Sequence, residues 1–226
     1  MPGVDNMGKP GFYTVRPGDT LIRIGLDSGQ NWRDIARWNS LDNANLIEVG
    51  QVLRVVPPAA DAHGVVVRPV LPAGRVEGRP LDSRAAGPAG PVPAAETGGA
   101  TTSDEELNWA WPAAGAVAAG FEEPKTKGLI ISGKAGDPVL AAADGRVVYA
   151  GSGLRGYGNL VIVKHNATYL TAYAHNQTLL VKEDQAVRRG QKIAEMGSSD
   201  AERVQLHFEI RRQGKPIDPA RLLPPR

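Results

Sequence analysis

The runs Leu160-Val-Ile-Val-Lys-His165 and Tyr169-Leu-Thr-Ala-Tyr-Ala-His175 decide the fold class. Both are rich in Val, Ile, Tyr and Thr, whose branched or flat side chains fit a pleated surface, so both read as β strands. Leu206–Arg211 has the same texture, and Pro138–Ala142 leads through a turn at Asp144-Gly145 into Arg146–Ala150. Gly156-Tyr157-Gly158-Asn159 and Arg189-Gly190-Gln191 are turns, and Trp109-Ala-Trp111-Pro112 opens an element. Helical periodicity is nearly missing from 107 onward. Closely spaced strands with turn chemistry predict an antiparallel β domain over 107–226.

Working outward, the texture changes upstream. Of the 18 prolines, 8 fall between Pro57 and Pro93, among Ala, Gly and small polar residues. Such a stretch cannot bury enough apolar surface to offset chain entropy, so 58–106 is predicted to be an extended, solvated linker. Its apolar patch, Val65-Val66-Val67, is free to pair or dock. Residues 12–57 form a second, smaller module. Phe12–Val15 alternates as a short strand and Pro17-Gly18-Asp19 turns. Asp19 or Thr20 then offers an oxygen to the free N–H groups of a helix carrying Leu21, Ile24 and Gly25. A second helix spans Asn31–Trp38, with Asn31 as cap and Ile35 and Trp38 on one face, and Gly50–Val55 closes as a strand.

Composition excludes several classes of protein. The 226 residues contain no cysteine, so disulfide scaffolds, Cys-ligated zinc and thiol nucleophiles are ruled out. No apolar run approaches the roughly 20 residues that span a bilayer. Net charge is +2, unevenly placed. The N-terminal module has five basic and five acidic residues, the linker four and seven, and the C-terminal domain sixteen and eleven. The mildly basic C-terminal domain suits a cell-wall polymer, an acidic protein partner or a nucleic acid. A nucleic-acid role has little support, because there is no basic stripe interleaved with aromatics.

Tyr13-Thr-Val-Arg-Pro-Gly-Asp-Thr-Leu21, Asn39-Ser-Leu41 and Gly50-Gln-Val-Leu-Arg-Val55 arrive in an order that resembles the LysM family. The resemblance implies a βααβ domain that binds N-acetylglucosamine-containing glycans such as peptidoglycan. The sugar would lie in a shallow groove lined by Gly18, Asp19, Thr20, Leu21 and Ile22 on one side and Asn45, Leu46 and Ile47 on the other. Backbone groups and a few apolar side chains suffice to read acetamido groups without charge.

The motifs WPAAGAV, ADGRVVYAG, GYGNLVIVKH, YAHN, RRGQKIAEMGS, LHFEI and IDPARLL together resemble the LytM, or lysostaphin-like, zinc endopeptidase domain. Active members hold zinc with the His and Asp of H-x-G-x-D and the second His of H-x-H. The first His of H-x-H and the His of Y-x-H serve the tetrahedral intermediate. In this chain the glycine of H-x-G-x-D falls on Gly128, which puts Thr126 at the His position and Ile130 at the Asp position. H-x-H reads Gln205-Leu206-His207, and Y-x-H is intact as Tyr173-Ala174-His175. Period-two geometry pairs Gln205 with His207 on one strand face, and Tyr173 with His175 on another. Catalytic zinc needs three protein ligands and an open position, and only His207 of the three survives. Gln205 cannot act as acid or base. Of the other histidines, His63 lies in the linker and His165 reads as structural. The expectation is a domain without metal, cofactor or catalysis.

A LysM domain joined to a LytM domain without its zinc residues resembles the NlpD-type division proteins. That resemblance implies an activator of a periplasmic N-acetylmuramoyl-L-alanine amidase, which splits septal peptidoglycan as daughter cells separate. The vacated groove would receive a helix of the amidase, through Lys127, Tyr157, Tyr173, His175, Gln205 and His207, with Arg211 at the rim. It also implies a periplasmic protein, anchored to the outer membrane by a lipidated leader-proximal segment absent from this chain. Two alternatives stay open: an endopeptidase with a rebuilt metal site, and a passive wall-binding scaffold.

Overall fold

The structure is a computed structural model describing residues 6, 8–43, 46–58, 107–123 and 125–226. Nearly all of the expected linker, with His63 and the Val65–Val67 patch, lies outside the described residues, as does Asn45.

The N-terminal module is β1 (Phe12–Thr14), α1 (Leu21–Ser28), α2 (Trp32–Trp38) and β2 (Val52–Arg54), with β1 and β2 antiparallel. Of the two cap candidates before α1, Thr20 is the one used: its hydroxyl accepts from the Arg23 N–H at 3.2 Å. Asp19 is engaged instead by the Tyr13 hydroxyl at 2.7 Å and the Arg16 N–H at 2.9 Å. Asn31 caps α2 through the Arg33 N–H. Val15, Leu21, Ile24, Ile35 and Leu53 form the module's core.

The C-terminal domain is built from β3 (Val117–Ala119), β4 (Leu129–Ser132), β5 (Pro138–Leu140), β6 (Gly145–Gly151), β7 (Asn159–Lys164) and β8 (Tyr169–Leu179). It continues with β9 (Ala186–Val187), β10 (Lys192–Met196), β11 (Gln205–Arg212) and β12 (Lys215–Ile217). The main path of this ten-stranded sheet runs β3-β4-β11-β8-β7-β6-β9, with every pairing antiparallel. The class is the expected one: an antiparallel, lysostaphin-like β domain with a βααβ module before it. The hairpin expected at Asp144-Gly145 does not form. β5 pairs with β10, whereas β6 pairs with β7 and β9. Asp144 accepts the Arg189 N–H at 2.6 Å, so this turn is tied to the later strand connection rather than to its own flanks.

The centre of the sheet is buried on both faces. Val161, Val163, Tyr173, Phe208 and Ile210 point into the larger core. Leu160, Ile162, Leu170, Ala172 and Ala174 point to the opposite face, where they meet Leu26 of α1, with Ile22 and Trp32 packed alongside. Burial on both faces accounts for the unbroken apolar run in β7, which an open sheet face would interrupt with polar residues. Helix α1 is thus apolar on two sides: Leu21 and Ile24 face its own module, while Ile22 and Leu26 face the sheet. Lys164 donates to Gln30 at 2.9 Å, and Arg33 pairs with Glu183 at 2.5 Å and Asp184 at 3.2 Å, across the same contact. His165 is structural. Its Nδ1 meets the Asp144 carbonyl at 2.7 Å, its Nε2 meets the Thr171 hydroxyl at 2.9 Å, and its ring stands edge-on to Trp109.

A basic groove with a closed floor

β11 carries His207, Glu209 and Arg211 at alternate positions, opposite Ala174, Ala172 and Leu170 of β8. All three therefore point to the face away from Phe208 and Ile210. Beside them lies an open groove of about 230 Å³, lined by Arg23, Lys125, Lys127, Tyr157, His175 and His207. Tyr157 is delivered by a loop whose neighbours Gly156 and Gly158 both have positive φ, at 88° and 59°. A Cβ on Gly158 would sit 2.2 Å from the Ser199 carbonyl oxygen, so that position requires glycine on two counts.

The groove floor is a hydrogen-bonded carboxylate. Glu209 is fully buried. Its Oε1 faces Nε2 of His207 at 2.8 Å and accepts the Tyr157 hydroxyl at 3.0 Å, and its Oε2 accepts Nε–H of Arg211 at 2.7 Å. Burial alone would raise the Glu209 carboxyl. The His207 hydrogen bond and the Arg211 charge more than offset that and hold it well below the usual carboxylate range. With Glu209 ionised, Nε2 of His207 is the donor. Arg211 continues the chain outward, donating to Asp27 of α1 at 2.6 Å and to the Gly214 carbonyl at 3.2 Å.

His175 stands across the floor, its ring 6.1 Å from that of His207. It adopts φ 66°, an unusual conformation for a non-glycine residue, and a register irregularity interrupts the β7–β8 pairing nearby. This turns His175 out of period, toward the groove. Its backbone N–H donates to the Tyr157 carbonyl, and its Nδ1 lies 2.8 Å from the Ser199 carbonyl, leaving Nε2 as the unprotonated nitrogen. Burial lowers its pKa.

Three sequence expectations need correction. Tyr173 does not share a face with His175: it is fully buried in the main core, where its hydroxyl donates nothing to the groove but engages the Ala142 N–H and Thr171. The turn of backbone at His175 separates the two side chains. Arg211 is not at the rim. Its side chain is 1% exposed, because the N-terminal module covers it. Leu21 and Ile22 do not present side chains to an open sugar groove, since Leu21 is in its module's core and Ile22 packs against the sheet.

The other expected positions are placed as follows. Lys127 is at the groove wall and Ile130 lies opposite His207 in the β4–β11 ladder. Gln205 lies opposite Ser132, and Thr126 makes a two-bond bridge with Glu122. Gly18 has φ 85° in its turn, Leu46 is 71% exposed and Ile47 packs on its module's core. Sequence reasoning missed the parts played by Glu209, Asp27 and Arg23. The signal for Glu209 was available: His, Glu and Arg alternate on one face of a central strand, where unpaired charge is not tolerated.

These residues do not fit a zinc centre. Ile130 has no donor atom, and Nε2 of His207 is committed to Glu209 as a hydrogen-bond donor. Among the described residues no group of three His, Asp or Glu side chains is placed to hold a metal.

Comparison with known proteins agrees with this architecture. A LysM domain profile matches residues 13–56, and the profile of peptidase family M23 matches 124–219. The lipoprotein NlpD/LppB homolog of Pseudomonas aeruginosa is 45% identical over 96% of this chain and 78% of its own. This chain belongs to the NlpD family. The murein hydrolase activator NlpD of Escherichia coli K12 is 38% identical over 95% of this chain and 68% of its own. Among solved structures, a zinc-containing peptidase from Vibrio cholerae is 30% identical, with a TM-score of 0.46 over 50% of this chain and 39% of that one. The chain thus joins a LysM module to a domain of peptidase family M23, and Glu209 and its partners form the floor of the groove in that domain.

Proposed function

We propose that this chain is a non-catalytic activator of a periplasmic N-acetylmuramoyl-L-alanine amidase, promoting septal peptidoglycan splitting and daughter-cell separation. It would hold peptidoglycan through its LysM module and act from within the cell envelope. The observation that carries this reading is the groove itself. It is open, its walls carry Lys125, Lys127 and Arg23, and its floor is occupied by Glu209, hydrogen-bonded to His207 and Arg211. A groove of that kind binds but does not hydrolyse. The relatives named murein hydrolase activators support the same reading.

Activation then follows from differential binding. A basic, aromatic-lined groove suits an amidase segment bearing acidic and apolar side chains. If the groove takes that segment only when it has left the amidase's own active site, binding shifts the amidase toward its open state. The test is dye release from labelled peptidoglycan sacculi, with the chain alone and with each periplasmic amidase of its host. Release only in the presence of an amidase, weakened at least tenfold by Lys127→Glu, is the expected result. Release by the chain alone, abolished by a chelator, would overturn the reading in favour of an endopeptidase. Sacculus binding with no effect on any amidase would leave a passive scaffold.

A further inference from the structure

The groove is not built by the β domain alone. Arg23, on the exposed side of α1, lies at its edge with Lys125 and Lys127 of the C-terminal domain. One turn further along α1, Asp27 receives Arg211 at 2.6 Å and also sits 3.8 Å from Arg23. Asp27 therefore connects a rim cation to the buried carboxylate under the floor, through Arg23, Asp27, Arg211, Glu209 and His207 in order.

The docking is written into backbone as well as charge. Gly214, in the turn between β11 and β12, approaches α1 so closely that a Cβ there would lie 2.0 Å from the Asp27 carbonyl oxygen. Gly29, the left-handed cap of α1, would in turn bring a Cβ to 2.9 Å from the Gly214 N–H. Leu26 is buried against the same face of the sheet that carries Glu209 and Arg211. Apolar contact, a backbone-to-backbone approach and an ion pair between the buried Arg211 and the half-exposed Asp27 coincide at one place. A module serving only as a tethered wall anchor needs none of them.

We propose that the LysM module is a fixed wall of the partner groove: Arg23 extends its basic rim, and the Asp27–Arg211 pair is the latch that holds Arg23 there. The partner is an acidic segment of the amidase, so this rests on the activator reading above. Of the four cationic side chains near the groove, Arg211 is held in the interior by Glu209 and Asp27, while Arg23 and Lys125 make only solvent-exposed pairs, with Asp27 at 3.8 Å and Glu122 at 3.5 Å. Lys127, from one domain, and Arg23, from the other, then flank the opening. An acidic segment lying between them would touch both modules at once, and the glycan-binding module would set how the amidase is received.

The experiment is a dose–response of amidase stimulation by the full chain, read as release from labelled sacculi, alongside differential scanning calorimetry. Arg23→Glu is exposed and leaves the fold intact, and it should raise the half-maximal concentration about tenfold. Arg37→Glu makes the same charge change on α2, where the side chain is 78% exposed, and should leave the curve unmoved. Asp27→Lys should shift the curve like Arg23→Glu and split one unfolding transition into two. An Arg23→Glu curve that overlays the unaltered chain overturns the composite groove and leaves the activator reading standing. Equal shifts for Arg23→Glu and Arg37→Glu also overturn it, as a mere effect of net charge. No stimulation by the unaltered chain overturns the activator reading, and the composite groove with it.

Discussion

Nε2 of His207 lies 2.8 Å from Oε1 of Glu209. The histidine that the resemblance to the lysostaphin-like domain marks as a zinc ligand here faces a carboxylate from its own strand, two residues along. Glu209 and Arg211 are both essentially excluded from solvent, so neither charge is stable there without the other.

Removing the carboxylate charge should therefore cost more than a surface substitution. Glu209→Gln leaves Arg211 with Asp27 as its remaining acidic partner and takes from His207 and Tyr157 their charged acceptor. Breaking one side of a buried pair costs about 3–5 kcal/mol, and a loss of at least about 2 kcal/mol in urea denaturation is expected. Arg211→Glu, which sets two carboxylates side by side in the same buried space, should be worse still. Neither variant can therefore serve as a clean test of partner binding, whereas Lys127→Glu and Arg23→Glu can.

Stability should fall on mild acidification, and His165 sets the upper part of that fall. Burial lowers its pKa to about 4 from 6.5, so the folded state prefers the neutral ring. Between those values the unfolded chain takes up a proton that the folded chain refuses, and stability declines as pH drops through the window. At 1.36 kcal/mol per unit the whole effect is about 3 kcal/mol. Glu209 acts lower. Its carboxyl is depressed, so its contribution is complete above the unfolded carboxylate value and is lost as pH falls below it. Urea midpoints at pH 7, 5.5 and 4.5 check this, and His165→Gln should flatten the larger share of the upper part, the rest coming from His175, whose pKa burial also lowers. An unaltered slope in His165→Gln would assign the effect elsewhere.

The strand runs and the βααβ order were legible in the sequence because each is a local pattern with local caps. Thr20, Asn31 and Gly29 act within a turn of their own position. β10 and β4 were passed over because Lys192–Met196 and Leu129–Ser132 are short and carry weak alternation; their pairing partners decide them. The position of Tyr173 was misread for a different reason. Period-two reasoning assumes an unbroken strand, and the positive φ at His175 is a tertiary feature that no local pattern announces. Arg211 failed likewise. A rim position was reasonable for the β domain alone, and only docking of α1 buries it.

Glycan recognition should depend on Leu46, the most exposed of the large apolar side chains described in the N-terminal module. Leu46 is 71% exposed, beside the loop expected to hold N-acetylglucosamine. A large apolar residue left in water on such a loop is well suited to pack on a sugar ring. Leu46→Asp should cut co-sedimentation with sacculi severalfold while moving the unfolding midpoint by less than about 1 °C. Full retention on sacculi would remove Leu46 from the binding surface.

The close backbone approach of Gly214 to α1 can be tested apart from the charges beside it. Gly214 and Gly190 both adopt positive φ, at 80° and 77°, in turns of the same domain, the first buried and the second exposed. A Cβ at Gly190 would meet nothing within 4 Å, whereas one at Gly214 would lie 2.0 Å from the Asp27 carbonyl oxygen. Alanine at either position carries the left-handed penalty of about 1–2 kcal/mol. Alanine at Gly214 must also push α1 away, because carbonyl and turn are both backbone and cannot rotate aside. Gly190→Ala should lower the midpoint of a single calorimetric transition. Gly214→Ala should separate the unfolding of the N-terminal module from that of the β domain, and loosen Arg211 from Asp27 as it does so. Identical single transitions in the two variants would mean that the close approach does not hold the modules together, and that the latch rests on the ion pair and Leu26 alone.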